Sequence, residues 1–393
     1  MHTGKTDKLV IEKGSALLPD GELRICDVLV EGGRIKEIGN NLKSEWQIDA
    51  TNSYVLPGLI DLHTHGIGWE SVGAGTLKEY ARIEASCGAT TFYPTLFAPP
   101  EEIARQMERH RQQTDELRQI PQVGGFRLES PYLAHTGAGL SRDLAPITGE
   151  TTNFLLAAGG GYVKIWDISP ELPGAPELIR QLTREGIVGS ISHTQGTIEE
   201  ARMAVDAGAR LVTHMFDTFV LPKTTDSEPG VYPAGLVDYL LIEDRVTCEI
   251  IADGTHVDPL LLEKTFRCKT PNKIAFITDS NYGAGLPPGE YVLPENRGRV
   301  RIKGSNNGVR LIERGMGLAG SALTPINAFR NAVQLFGKDI ATASQVCSKT
   351  PAQLMGLNKG EIAVGKDADF IILNSDFELL YTMVAGMIVY EKE

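Results

Sequence analysis

The sequence predicts an α/β chain: a (β/α)8 TIM-like barrel carrying a small discontinuous β-sandwich made from both termini. Three observations carry this reading. Eight short apolar runs alternate with amphipathic segments through the middle of the chain, while its first and last stretches read as antiparallel strands. The length of 393 residues also exceeds the roughly 250 that such a barrel takes alone. Parallel strands joined by right-handed crossovers have few ways to close other than a barrel.

The elements follow in order. Strands are expected over 8–12, 27–31 and 34–38, the last after the turn Glu31-Gly32-Gly33. From Pro57 onward, helical segments are expected over 77–85, 100–118, 176–185, 198–207 and 259–264. The barrel strands are expected at 54–61, 90–96, 125–128, 162–165, 188–191, 211–213, 246–251 and 274–278. A helix over 325–336 precedes strands at 370–373 and 387–390. Residues 1–56 together with 357–393 should therefore form the small domain, and 57–356 the barrel. No repeat of 20 to 50 residues and no low-complexity segment interrupts this plan.

Composition narrows the partners. With 42% hydrophobic and 22% charged residues the chain buries a large core, which excludes disorder and fibrous architectures. The net charge of -12, from 38 basic and 50 acidic residues, argues against nucleic acid and anionic membrane. The Arg-, Lys-, Gly- and Asn-rich segment 298–310 is expected to be a solvent-exposed hairpin, since it lacks the interleaved aromatics of a nucleic-acid surface. No apolar run reaches the roughly 18 residues that span a bilayer, and MHTGKTDK lacks the apolar region of a secretory signal, so the expected compartment is the cytosol. Cys26, Cys87, Cys248, Cys268 and Cys347 contain no CxxC pair and read as reduced packing residues.

The strongest short signal is Pro57-Gly58-Leu59-Ile60-Asp61-Leu62-His63-Thr64-His65-Gly66, at the end of the first barrel strand. Residues two apart on a strand share a face, so His63 and His65 present both imidazoles to one ion from the barrel interior. Later predicted strands end at Glu129, His193, His214 and Asp279. The C-terminal ends of parallel barrel strands open on one mouth, so these six metal-competent side chains converge there although distant in sequence. Metal-assisted hydrolysis needs an ion to polarise a carbonyl and lower the pKa of water from about 15.7 toward about 7, plus a base to move the proton. Asp279 is the candidate base, with simple ligation as its alternative. Gly283, Gly285 and Gly289 mark a loop beside the site; no GxGxxG or GKS/T follows a strand, so they make no phosphate cradle.

At these residues the chain resembles the amidohydrolase superfamily and, within it, the N-acetylglucosamine-6-phosphate deacetylase family. The resemblance covers nearly the whole chain. It runs through PGLIDLHTHG at 57–66, GATTFYPTL at 88–96, LESPYL at 128–133, SHTQGTIEEARMAVDAGARLVTHMF at 192–216 and IADGTHVDP at 251–259. It continues with ITDSNYGAGLPPGEY at 277–291, LAGSALT at 318–324 and GEIAVGKDADFIIL at 360–373. The resemblance implies a homodimer and a divalent metal of one or two ions, zinc first, with iron, manganese or cobalt open. Glu129, His193 and His214 match the family's main metal site, and His63 and His65 its second site, with Glu129 able to bridge them. Asp279 matches the catalytic acid/base, and His256 a histidine that contacts substrate.

Departures from the family concern the substrate. Where the family motif reads His-Leu-Phe/Tyr-Asn-Ala-Met, its Asn-Ala segment helping to hold the sugar phosphate, this chain has Asp217 and Thr218. A carboxylate repels a dianionic phosphate by about 4 kcal/mol per unit pair at about 4 Å and an effective dielectric of about 20. The family's phosphate-clamping arginine, contributed from the partner subunit, aligns with Ser227, and a further family histidine aligns with Ser141. Serine cannot replace a forked cationic grip. Lys223, Arg142 and His135 lie nearby in sequence and read as solvated loop residues rather than a rebuilt anion site. The expectation is an N-acyl amide hydrolase whose substrate is an unphosphorylated, neutral or cationic relative of an N-acetyl amino sugar. Another amidohydrolase reaction, such as opening a cyclic amide or deacylating an N-acyl amino acid, shares the first steps and differs in product. A non-catalytic ligand-binding barrel is opposed by the complete set of candidate ligands.

Overall fold

Eight parallel strands, Leu59–Thr64, Ala89–Leu96, Phe126–Leu128, Val163–Ile168, Val188–Ile191, Leu211–Val212, Thr247–Ile251 and Ile274–Ile277, pair in chain order. Each is buried along its length, as strands walled in by helices outside and packed side chains inside must be. The computed structural model describes residues 8–112, 120–138, 141–219, 233–293 and 298–393. The seam between the last strand and the first is closed by main chain and side chain together. Asp279 N donates to His63 O at 2.9 Å, and the Asp61 carboxylate accepts from Thr278 N at 3.2 Å and Thr278 Oγ1 at 2.6 Å. The alternating pattern therefore forms the expected barrel.

Both ends of the chain meet in a second, eight-stranded sheet, where Phe370–Leu373 runs antiparallel to Tyr54–Pro57 with Phe370 opposite Pro57. Lys8–Leu17 is one long strand with an irregularity between Ile11 and Gly14, where Lys13 has φ 57°. Its first half pairs with Trp46–Asp49 and its second half with Tyr54–Pro57, so the bulge lets one strand serve two partners on the same edge. Leu9, Ile11, Val28, Ile35, Val55, Phe370 and Ile372 fill the core this sheet encloses.

The apolar run expected as one barrel strand over 54–61 is two strands. Tyr54–Pro57 belongs to the small sheet and Leu59–Thr64 to the barrel. Gly58 makes the break, because a Cβ there would collide with the Thr90 side chain. Leu56 and Pro57 before the glycine and Leu59 and Ile60 after it are all apolar, so hydropathy gives no sign of the join. The helix Gly149–Gly159 was not expected from sequence. It is fixed by its ends, with Thr148 Oγ1 accepting from Thr151 N and Gly160 closing it at φ 54°. The helix expected over 100–118 is described as Pro100–Gln112, and its continuation lies outside the described residues.

The segment expected as an exposed hairpin is also different. Arg299–Ile302 and Arg310–Leu311 join Gly289–Val292 and Gly317–Leu318 in a four-stranded antiparallel sheet whose Val300, Ile302 and Val309 are buried with Ala322. Basic and polar residues alternate with these apolar ones, which disguises a small core as a solvated loop. The free cysteines Cys26, Cys248 and Cys347 are buried, whereas Cys268 is exposed. No helix among the described residues is long and apolar enough to cross a membrane.

A charged plug fills the barrel beneath its mouth. Arg127 is fully buried, and its Nε and Nη2 donate to Asp167 at 3.0 Å each. Nη1 donates to Glu249 Oε1 at 2.6 Å and to Leu62 O at 3.0 Å, and Nη2 also reaches Glu249 Oε2 at 2.9 Å and Thr213 Oγ1 at 3.0 Å. All five N–H donors are thus used, which is what makes a buried guanidinium tolerable. Outside the barrel, Thr64 Oγ1 meets Tyr80 Oη at 2.6 Å and Ser280 Oγ at 2.7 Å, and donates to Glu84 Oε1 at 3.3 Å. Burial, reinforced by Asp61, holds the Glu84 carboxyl well above the usual glutamate range.

Two predictions follow from these buried groups. Arg127→Met strands two carboxylates and should lower the unfolding free energy by about 3–5 kcal/mol, read from urea denaturation; a loss under about 1 kcal/mol would contradict the plug. Glu84 binds its proton more tightly when folded, so its contribution is full below about pH 4.3 and fades as pH rises toward the folded pKa. Glu84→Gln removes that titration. The melting temperature of the variant relative to wild type should therefore climb between about pH 5 and about pH 8, and a flat difference by circular dichroism would rule this out.

Candidate metal centre

Six side chains from five barrel strands meet at the C-terminal mouth. His63 and His65, two residues apart, lie at the end of the first strand, Glu129 follows the third, His193 the fifth, His214 the sixth and Asp279 the eighth. Three of them, His193 at φ 42°, His214 at φ 27° and Asp279 at φ 46°, leave their strands in the sparsely populated left-handed region. Such backbones cost about 1–3 kcal/mol each and persist where the surroundings over-determine them. Here they turn the chain out of the strand at the position where the side chain must face the mouth.

The carboxylate of Glu129 sits at the centre. Its Oε1 lies 3.0 Å from His193 Nε2 and 3.2 Å from His214 Nε2. Its Oε2 lies 3.0 Å from His65 Nε2 and 3.5 Å from His63 Nε2. Asp279 Oδ1 closes the second group, 3.3 Å from His65 Nε2 and 3.4 Å from His63 Nε2. Two clusters with metal-ligating donors result, His63/His65/Asp279 and Glu129/His193/His214.

The outer ring nitrogens settle which nitrogen faces inward. His65 Nδ1 faces Thr95 O at 3.2 Å, His193 Nδ1 faces His135 O at 3.1 Å and His214 Nδ1 faces Asp217 O at 3.3 Å. A carbonyl accepts only from N–H, so each Nδ1 carries a proton and each Nε2 points at Glu129, protonated against the bare carboxylate or offering a lone pair where a cation stands between them.

The electrostatics ask for positive charge. Burial alone would depress the histidines, yet Glu129 and Asp279 override it and lift His63 to about 10 and His65 to about 9. Burial works against ionisation of Glu129 as well, and His63 and His65 nevertheless draw its carboxyl well below the usual range. Glu129 Oε2, though buried, accepts no hydrogen bond among the described residues. A divalent cation meets the same demand with neutral imidazoles, and a nitrogen and oxygen donor set without thiolate suits zinc, iron, manganese or cobalt. The residues present therefore fit such an ion.

A second layer faces the space where a substrate must enter. Asp253 Oδ2 holds His256 Nδ1 at 2.8 Å, leaving His256 Nε2 buried and without a partner among the described residues. Thr255 Oγ1 donates to Asn306 O, and Gly308 packs beside His256, so the four-stranded insert closes over this histidine. Burial pulls His214 and His256 down, but the hydrogen bond to Glu129 lifts the first and Asp253 the second, with the half-buried Asp217 adding to both. Thr218 Oγ1 donates to Asp217 O at 2.6 Å. His135 is not a solvated loop residue as expected. Its ring lies 5.5 Å from that of His193, its Nε2 is buried without a partner, and burial lowers its pKa. Arg142 is exposed, as expected. Ser141 opens the short turn Ser141–Asp143, its side chain lying outside the described residues, as do Ser227 and Lys223 altogether.

Sequence reasoning missed Asp253, Arg127, Asp167 and Glu249. The signal for Asp253 was its place three residues before His256 at the end of a strand, and for Arg127 and Glu249 a charge inside an otherwise apolar strand.

Known proteins agree with this geometry. The N-acetylglucosamine-6-phosphate deacetylase of Bos taurus is 29% identical over 412 residues, covering 98% of this chain and 94% of its own. The N-acetylgalactosamine-6-phosphate deacetylase of Escherichia coli O157:H7 is 30% identical over 398 residues, covering 98% and 99%. A Mycobacterium smegmatis N-acetyl-D-glucosamine-6-phosphate deacetylase, solved with N-acetyl-D-glucosamine-6-phosphate, superposes with a TM-score of 0.85 at 26% identity, covering 98% of this chain and 100% of that one. The model of the Amidohydrolase family matches residues 54–389, from the last strand before the barrel to the final strand of the small sheet. With that span and this constellation of histidines and carboxylates at the barrel mouth, the chain belongs to the amidohydrolase family.

Proposed function

We propose that this hydrolase removes an acetyl group from the nitrogen of an N-acetylated amino sugar or related amine that lacks a phosphate. The observation that carries the reading is the divided carboxylate of Glu129, with Asp279 facing the His63/His65 pair. Glu129, His193 and His214 would hold one cation, and His63, His65 and Asp279 are placed for a second, zinc being the first choice for this donor set. Such an ion, when bound, polarises the amide carbonyl and makes water acidic enough to attack near neutral pH.

The chain's own groups do the rest. Burial pushes the Asp279 carboxyl up, but His63 and His65 outweigh it and keep it ionised. As a base, Asp279 Oδ1 takes the proton of the attacking water and then returns it to the departing nitrogen. The unpartnered His256 Nε2, fixed by Asp253, is the group left to bind a substrate oxygen. Asp217, where the family places asparagine, adds negative charge next to His214 and His256 and disfavours a dianion there. The free cysteines support a cytosolic setting, and the family resemblance supports a homodimer.

Two experiments test this reading. Asp279→Asn should cut acetate release by about 10²–10⁴-fold while the ion at Glu129, His193 and His214 stays bound by elemental analysis. Turnover near wild type would remove Asp279 from the role. In an acetate-release screen of N-acetyl amino sugars with and without a 6-phosphate, kcat/KM should favour the unphosphorylated sugars. A strong preference for the 6-phosphate would reverse the reading of Asp217 and Ser227.

A further inference from the structure

Among the four histidines that surround Glu129, His63 stands apart. His65, His193 and His214 each have Nδ1 within 3.3 Å of a main-chain carbonyl. His63 Nδ1 is buried with no hydrogen-bond partner among the described residues, and the acidic group that faces it is Glu249, whose Oε2 lies 3.9 Å away. Glu249 itself is fully buried on the seventh strand, gripped through both oxygens by Arg127 at 2.6 and 2.9 Å. Asp167, the other carboxylate on Arg127, accepts from Thr213 Oγ1 at 2.9 Å and faces no histidine.

We propose that Glu249 is a positioning residue for His63: its carboxylate, held by Arg127, keeps the proton on His63 Nδ1 and so aims the Nε2 lone pair at the ion site shared with His65 and Asp279. This deepens the proposed hydrolytic centre and rests on that site taking up an ion. At 3.9 Å the pairing is electrostatic rather than a hydrogen bond, and once Nε2 is committed to an ion the ring's remaining proton sits on Nδ1, facing the Glu249 carboxylate. A backbone carbonyl cannot be removed by side-chain substitution. The His63/His65/Asp279 site is therefore the one whose ligand orientation depends on a replaceable group, whereas the carbonyls on His193 and His214 leave the other site independent of Glu249.

The test is metal uptake, read apart from turnover. Apo protein is titrated with zinc against a chromophoric chelator for wild type, Glu249→Gln and Asp167→Asn. Both variants take one carboxylate from Arg127, and only the first touches His63. The expected result is a loss of about 10- to 100-fold in affinity for the second zinc equivalent in Glu249→Gln, with the first equivalent unchanged and Asp167→Asn retaining both. Equal losses in the two variants would reduce Glu249 to a counterion of Arg127, and unchanged uptake in Glu249→Gln, or a wild type that binds a single equivalent, would overturn the proposal. Should Glu249→Gln fail to fold, long-range ¹H–¹⁵N correlation on the zinc-loaded wild type decides: His63 must carry its proton on Nδ1, and a proton on Nε2 refutes the assignment. Absence of acetate release with two zinc equivalents bound would defeat the deacetylase reading and leave this one standing.

Discussion

One carboxylate shared between two pairs of imidazoles governs the molecule's chemistry. Glu129 gives one oxygen to His193 and His214 and the other to His63 and His65, and it does so fully buried. Water cannot solvate that charge, so everything nearby is arranged to compensate it: four imidazoles turn a ring nitrogen inward, and three strands end in left-handed backbone at a ligand. Burial amplifies the attraction, since the effective dielectric inside a protein is far below that of water. The same amplification serves catalysis, because a preorganised charge need not rearrange when a substrate's own charge develops.

Beneath this layer, Arg127 performs the corresponding task for the barrel. Its guanidinium joins the third strand to the first, fourth, sixth and seventh through Leu62, Asp167, Thr213 and Glu249. Three of those contacts sit one residue from a histidine of the two clusters or face one: Leu62 precedes His63, Thr213 precedes His214, and Glu249 faces His63. The plug thus ties strand ends to one another at the depth where a small relative shift would spoil the geometry above. Shape and charge at the mouth are inherited from a layer that no substrate touches.

Much of this was legible in the residues. The spacing of His63 and His65 follows from the two-residue repeat of a strand, and the convergence of Glu129, His193, His214 and Asp279 follows from where parallel strands end. What failed to show was whatever depends on long-range closure. Arg127 and Glu249 are 122 residues apart, and only the barrel makes them partners. The join at Gly58 was hidden because the apolar run continues across it, Tyr54–Pro57 facing a sheet core and Leu59 and Ile60 opening a barrel strand. His135 reads as a loop residue because its loop folds back on His193. The strands around Val300 and Ile302 were masked by the arginines between them, whose ion pairs with Glu290 and Glu313 leave the charges outside and the apolar side chains in.

The seam sealed by Asp61 and Thr278 spans 217 residues of sequence. Asp279, the last residue of the cluster, is emplaced by the very strand that completes the ring. A nascent chain emerging from the ribosome accordingly presents its paired histidines long before their opposing carboxylate exists. An ion held by His63, His65 and Asp279 would therefore find its full donor set only once the cylinder is whole.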